Sequence, residues 1–256
     1  MLRLPVIQGD IDRRILLNYR IDPKYLRRIL PAPFEVRLHD GYGIGGVCMI
    51  RFHALRPRYC PPALGISSEN AAHRFAVEWK DGAARREGVF IPRRDTASAF
   101  NHWAGGKIFP GVFQRSLFDV VESAGRYRVS IASPGQEPHV IFDGEDTTEF
   151  PSGSCFGSLE AVTEFFAKGA VGYSLSKDTT HFQRMELRLL GWDIQPLKIH
   201  RAHLRLFEDE SVFPRGSVEV DCAMIMRRLR HEWHAIPNIS AQESQAVREY
   251  GATLRG

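Results

Sequence analysis

The sequence predicts a mainly β chain of the α+β class: an antiparallel sheet or barrel with a few short helices. Two observations carry this. About eight to ten segments alternate apolar and polar residues with the period of a strand. They also come in groups and do not alternate one-to-one with helices, which argues against a doubly wound parallel sheet. A sheet with this many strands that closes on itself would lose its exposed edges and gain an interior pocket.

Taken in order, Asp22-Pro23 opens the first helix, with Asp22 as cap and Pro23 at the first helical position. "KYLRRIL" follows, and Pro31 stops it. "GYGIGGVCMIRFHAL" reads as a glycine-rich, largely buried strand. "HRFAVEWKDGAARREGVFIPRRD" reads as a β-hairpin turning at Asp81-Gly82, with His73, Phe75, Val77 and Trp79 on one face. "TASAFNHWAGG" is a short helix capped by Thr96 or Ser98, and Gly105 is expected to end it in a left-handed conformation. Lys107 then enters another strand. "RYRVSIAS", "HVIFDGED", "HRAHLRLFED" and "SVEVDCAMIM" alternate as strands. "SLEAVTEFFAKG" is an amphipathic helix with Leu159, Val162, Phe165 and Phe166 on its apolar face. No repeat or linker divides the chain, so residues 1–256 read as a single domain, with 240–256 a polar peripheral tail.

The 256 residues carry a net charge of +4, and the arginines are scattered as pairs among acids. That pattern reads as a solvated surface with ion pairs and argues against a nucleic-acid partner. No apolar run approaches the ~20 residues of a membrane span, and there is no charged-then-apolar leader. The four cysteines lack any C-x-x-C spacing. A reducing cytoplasm is the expected location.

Motifs for familiar chemistries are missing. There is no G-x-S-x-G and no G-x-G-x-x-G before a helix. "HEWH" at 231–234 spaces its histidines three apart: on a helix a metal pair is geometrically possible, on a strand they face opposite ways, and "HRAH" at 200–203 sits in a strand-like run, so capping and surface roles are read for both and no metal is assigned. Glu69 stands before the hairpin beside Asn70 and His73, either as a pocket acid–base or as a strand-end carboxylate. Arg93-Arg94-Asp95 is either a structural clamp or a source of bidentate carboxylate binding. Arg20 and Arg51 share that ambiguity. Lys107 is one of six lysines. An ordinary lysine is only about one part in two thousand neutral near pH 7, so amine chemistry needs a lowered pKa. No second lysine adjoins it, and a helix C-terminus favours its charged form.

"IDRRILLNYRIDPKYLRRILPAPFEV", "RFHALRPR", "SENAAHRFAVEW", "GVFIPRRDTAS" and "AGGKIFPGVF" together resemble the YqjF-like conserved domain of unknown function, within the acetoacetate-decarboxylase-like superfamily. The resemblance runs from about Leu4 to Trp233 and implies a closed, cone-shaped antiparallel β-barrel with short flanking helices around a small pocket. Decarboxylases of that superfamily use a Schiff-base lysine beside a second lysine, with glutamates and an arginine in the pocket. Residue by residue, the lysine pair falls near Gly106-Lys107, so one lysine is lost. One glutamate falls on Glu69 and the arginine near Arg13; the second glutamate has no counterpart in "GVCMIRF". The implied catalytic residues are Lys107 and Glu69, with Arg94, Arg13, Asn70 and His73 binding substrate and no cofactor. The expected partner is a small carboxylate-bearing molecule, processed by lyase-type chemistry. The alternatives are a non-catalytic ligand-binding or sensor protein, and a structural role with Phe and Trp filling the pocket. Homo-oligomerisation follows by superfamily analogy.

Overall fold

Burial with period two runs along β1 (Ile7–Ile21), where Ile11, Ile15 and Leu17 are fully buried and Asp12 is exposed. The computed structural model describes residues 5–105, 110–191, 193–241, 247 and 249. After β1 come α1 (Pro23–Ile29), β2 (Glu35–Val36), β3 (Leu38–His39), β4 (Tyr42–Pro57), β5 (Ile66–Asp81) and β6 (Ala84–Thr96). Next are α2 (Ala99–Ala104), β7 (Phe113–Arg115), β8 (Leu117–Ser123), β9 (Arg126–Ala132) and β10 (Pro138–Asp146). The chain continues through α3 (Leu159–Lys168), β11 (Val171–Leu175), β12 (His181–Leu189), β13 (Ile194–Leu204) and β14 (Val218–Ser240). No described helix is long and apolar enough to cross a membrane.

The helices start as their residues dictate. Asp22 accepts a 2.8 Å hydrogen bond from the Lys24 amide, with Pro23 at the first helical position. Ser98 caps α2 through the Asn101 amide, and Ser158 caps α3 through the Ala161 amide. Gly105 does not take the left-handed conformation expected of it: φ is −59° and ψ is 136°. Glycine is needed there for space, since a Cβ would lie 2.8 Å from the Phe113 ring and 3.0 Å from its backbone nitrogen.

Hydrogen-bonded neighbours run β1-β4-β5-β6-β11-β12-β14, and β14 pairs back onto β1, so the pairings form a cycle of seven strands. β13, β10, β9 and β8 extend in turn from β14. The ladder is antiparallel except where β11 and β7 meet β6, and both of those pairings are parallel. This departs from the uniformly antiparallel sheet expected. A parallel pair needs a long crossover, and the excursion through β8–β10 and α3 supplies it before β11 returns to β6.

Adjacent residues on the cycle strands enter different cores, because successive Cβ atoms point to opposite faces. Ile15, Met49 and Phe75 join the core that reaches Tyr127, Val129 and Phe142 of the outer strands. Leu16, Ile50 and Ala76 join a second core with Phe156, Phe165 and Phe166 around α3. β14 extends to Ser240, and Val247 packs into the first core at 4% exposure.

Candidate functional site

A cavity of about 120 Å³ lies on the second face, and every strand of the cycle contributes to its lining. β1 supplies Arg14, and β4 supplies Cys48, Ile50 and Phe52. β5 supplies Asn70, Ala72 and Arg74, which share a face by alternation. Val89, Ile91 and Arg94 come from β6. Ile91 and Arg94 are three apart yet face the same way because the ladder shifts between His73 and Phe75, where β6 carries one extra residue. Pro92 sits in that bulge, a position that tolerates the missing amide. Gly172, Met185, Leu187 and Trp233 complete the wall, with Phe113 and Phe166 packed over it.

Three guanidiniums therefore meet in a largely apolar space. Arg74 is 4% exposed; it donates to Asn18 Oδ1 at 2.5 Å and lies 4.3 Å from the Phe166 ring centre, and its Nε has no hydrogen-bond partner. Arg94 donates from Nε to Ser174 Oγ at 3.1 Å and faces the Phe113 ring at 5.5 Å. Among the described residues Arg14 donates to sulfur, at 3.3 Å to Cys48 and 3.9 Å to Met226. Among the described residues no carboxylate pairs with any of the three. Burial pushes both Arg74 and Arg94 down to about 10. Both therefore stay cationic at neutral pH. Buried charge without a partner is costly, so the cavity favours an anion.

The expected site residues divide between the two faces. Asn70 and Arg94 line the cavity. Asn70 is fully engaged: it donates to Ser68 and accepts from Thr96 Oγ1 at 2.8 Å and from Asn101 at 3.3 Å, which ties β5 to α2. Glu69 and Arg13 face away. They pair with each other, and Arg51 and Glu122 complete the network, with Arg51 Nε 2.6 Å from Glu69 and Arg13 Nε 3.2 Å from Glu122. His73 also faces away, with Nε2 3.3 Å from Asp95. Lys107 lies outside the described residues.

Around Asp95 the two alternatives for Arg93-Arg94-Asp95 fall to different neighbours. Arg93 forks onto the Asp95 carboxylate at 2.8–3.1 Å, Ser116 donates at 2.7 Å, and His139 Nε2 lies 3.4 Å away. The nitrogens of His73 and His139 and the Asp95 carboxylate fall within 4.8 Å of one another. That carboxylate is already taken up by Arg93 and Ser116, so the cluster reads as a buried clamp between β5, β6 and β10.

Arg14, Arg74 and Cys48 are cavity residues that sequence reasoning did not single out. Arg74 had a signal: an arginine set among the apolar residues of "HRFAVEW", in phase with Asn70. "HEWH" and "HRAH" lie in β14 and β13; His234 meets Glu232 at 2.9 Å, and His200 meets Glu145 at 3.2 Å.

No curated protein matches the chain. Among solved structures it is similar to an acetoacetate decarboxylase-like enzyme from Sphingomonas wittichii RW1, at TM-score 0.60 and 14% identity over 95% of each chain. Acetoacetate decarboxylase from Legionella pneumophila subsp. pneumophila str. Philadelphia 1 aligns at TM-score 0.58 and 13% identity, over 91% of this chain and 88% of that one. The enduracididine biosynthesis enzyme MppR, complexed with the condensation product of pyruvate and imidazole 4-carboxaldehyde, aligns at TM-score 0.55 and 12% identity, over 94% and 90%. These likenesses show the fold. The family model DUF2071, described as "Uncharacterized conserved protein", matches residues 10–228. The chain therefore belongs to this family of uncharacterized conserved proteins, built on the acetoacetate-decarboxylase-like fold.

Proposed function

We propose that the strand cycle closes as a cone-shaped barrel and binds a small carboxylate-bearing organic molecule in its interior. One observation carries this reading: Arg14, Arg74 and Arg94 converge on an apolar cavity with no carboxylate partner among the described residues. A guanidinium grips a carboxylate through two parallel N–H···O bonds, and the apolar wall accepts the rest of the ligand. Binding stands ahead of lyase chemistry because the described lining holds no carboxylate or imidazole to move a proton. Glu69, expected as the proton shuttle, is instead held by Arg13 and Arg51.

Calorimetry with pyruvate, acetoacetate and larger oxo acids, set against their amides, tests this. Carboxylates bind and amides do not, and Arg94→Gln weakens carboxylate binding at least tenfold, about 1.4 kcal/mol. Equal binding of acids and amides, or no binding by folded protein, overturns it. Borohydride reduction with the same oxo acids reports on Lys107. An adduct lost in Lys107→Met would add amine chemistry to the binding site.

A further inference from the structure

We infer that Cys48 is a nucleophile directed by the arginines of the cavity, and that its reaction partners are small carboxylates with an electrophilic carbon beside the carboxyl group. The inference rests on the carboxylate site proposed above.

The geometry lies across three neighbouring strands. Cys48 of β4 is paired in register with Ala72 of β5, and Ala72 with Arg94 of β6. All three line the cavity. Residues directly opposite on adjacent strands stand about 5 Å apart, so Cys48 and Arg94 flank Ala72, whose methyl leaves the space between them open. Arg14 donates from its Nε to Cys48 Sγ at 3.3 Å. Arg74, two residues along β5 from Ala72, also lines the cavity, and its buried Nε lacks a hydrogen-bond partner. That unpartnered donor points to a ligand independently of the thiol. A carboxylate held between Arg74 and Arg94 puts its neighbouring carbon over Ala72, facing the sulfur.

With an α-oxo acid the step needs no further reactant. The sulfur lone pair attacks the carbonyl carbon and a C–S bond forms. The carbonyl π pair moves to oxygen, where a guanidinium stabilises it, and the thiol proton ends on that oxygen. The product is a reversible hemithioketal.

Alkylation of the unmodified full chain tests this, using iodoacetate and iodoacetamide in parallel with peptide mapping. In each case a C–S bond forms, iodide leaves with the bonding pair, and the thiol proton goes to solvent. Cys60, half-buried and off the cavity, is the internal control. At Cys48 the iodoacetate-to-iodoacetamide rate ratio should exceed that of Cys60 at least tenfold. Pyruvate should slow labelling of Cys48 and leave Cys60 unaffected. Equal ratios at the two cysteines overturn the inference. If Cys48 reacts with neither reagent while carboxylates still bind by calorimetry, the nucleophile is wrong and the carboxylate site stands. If carboxylates do not bind and the iodoacetate preference is absent, both fail.

Discussion

Single buried side chains set the acid sensitivity of this molecule. His231 lies between Phe52 and Trp233, with ring centres 5.1 and 5.7 Å away, and burial pushes its imidazole down to about 4. The unfolded chain takes up that proton near pH 6.5. Below that pH the unfolded state binds more protons, so stability falls as pH drops from about 6.5 to about 4, by about 3 kcal/mol for this one group. His73 is also held neutral by burial and acts in the same direction. Asp95 behaves differently. Burial alone would raise its carboxyl, but donors from His139, His73 and Arg93 hold it well below the usual range. Its contribution is full above the unfolded carboxylate pKa near 4 and is lost only in stronger acid. His231→Phe should therefore leave stability at pH 7 nearly unchanged and remove about 3 kcal/mol of the loss between pH 7 and pH 4, the share of this one group. Urea midpoints at the two pH values check this; an unchanged pH slope in the variant would contradict it.

At the scale of elements, the cavity depends on how β6 meets its neighbours. The bulge at Pro92 restores Arg94 to the face of Ile91, and β11 then receives its guanidinium at Ser174. The turn into β7 closes on the same bond. Gly111 has φ +80°, and a Cβ there would lie 2.6 Å from Ser174 Cβ and 3.1 Å from Arg94 Nε. Only glycine takes that conformation freely, and the space is already filled. Gly111→Ala is expected to cost about 1–3 kcal/mol in strain and overpacking. It should also weaken pyruvate binding, because Arg94 and Ser174 must separate. Urea unfolding with calorimetry measures both, and an unchanged affinity would show that the Arg94–Ser174 bond does not orient the ligand.

Across the whole molecule, one ion-pair network joins the strand cycle to the outer strands. Arg13 on β1, Arg51 on β4 and Glu69 on β5 meet Glu122, which comes from β8. Arg13 is 2% exposed. Removing one partner from a buried pair leaves charge uncompensated. Glu69→Gln is thus expected to cost about 3 kcal/mol of stability while leaving carboxylate binding intact, because Glu69 lies off the cavity. Unchanged stability with lost binding would instead place Glu69 among the ligand contacts.

Local chemistry was legible directly in the chain. The Asp22-Pro23 start of α1, the hairpin turning at Asp81-Gly82 and the apolar face of α3 each depend on residues close in sequence. Strand alternation also put His73, Phe75, Val77 and Trp79 on one face of β5, which divides the strand into two sets of residues. It could not say which set faces the cavity, because both faces of the strand are buried and period two carries no sign. That choice came from pairings between distant segments, above all residues 7–21 with 218–233, which complete the cycle. The same long-range closure brings Arg14, Arg74 and Arg94 together with Cys48. Their meeting is a property of the folded sheet, because no spacing along the chain encodes which strands become neighbours.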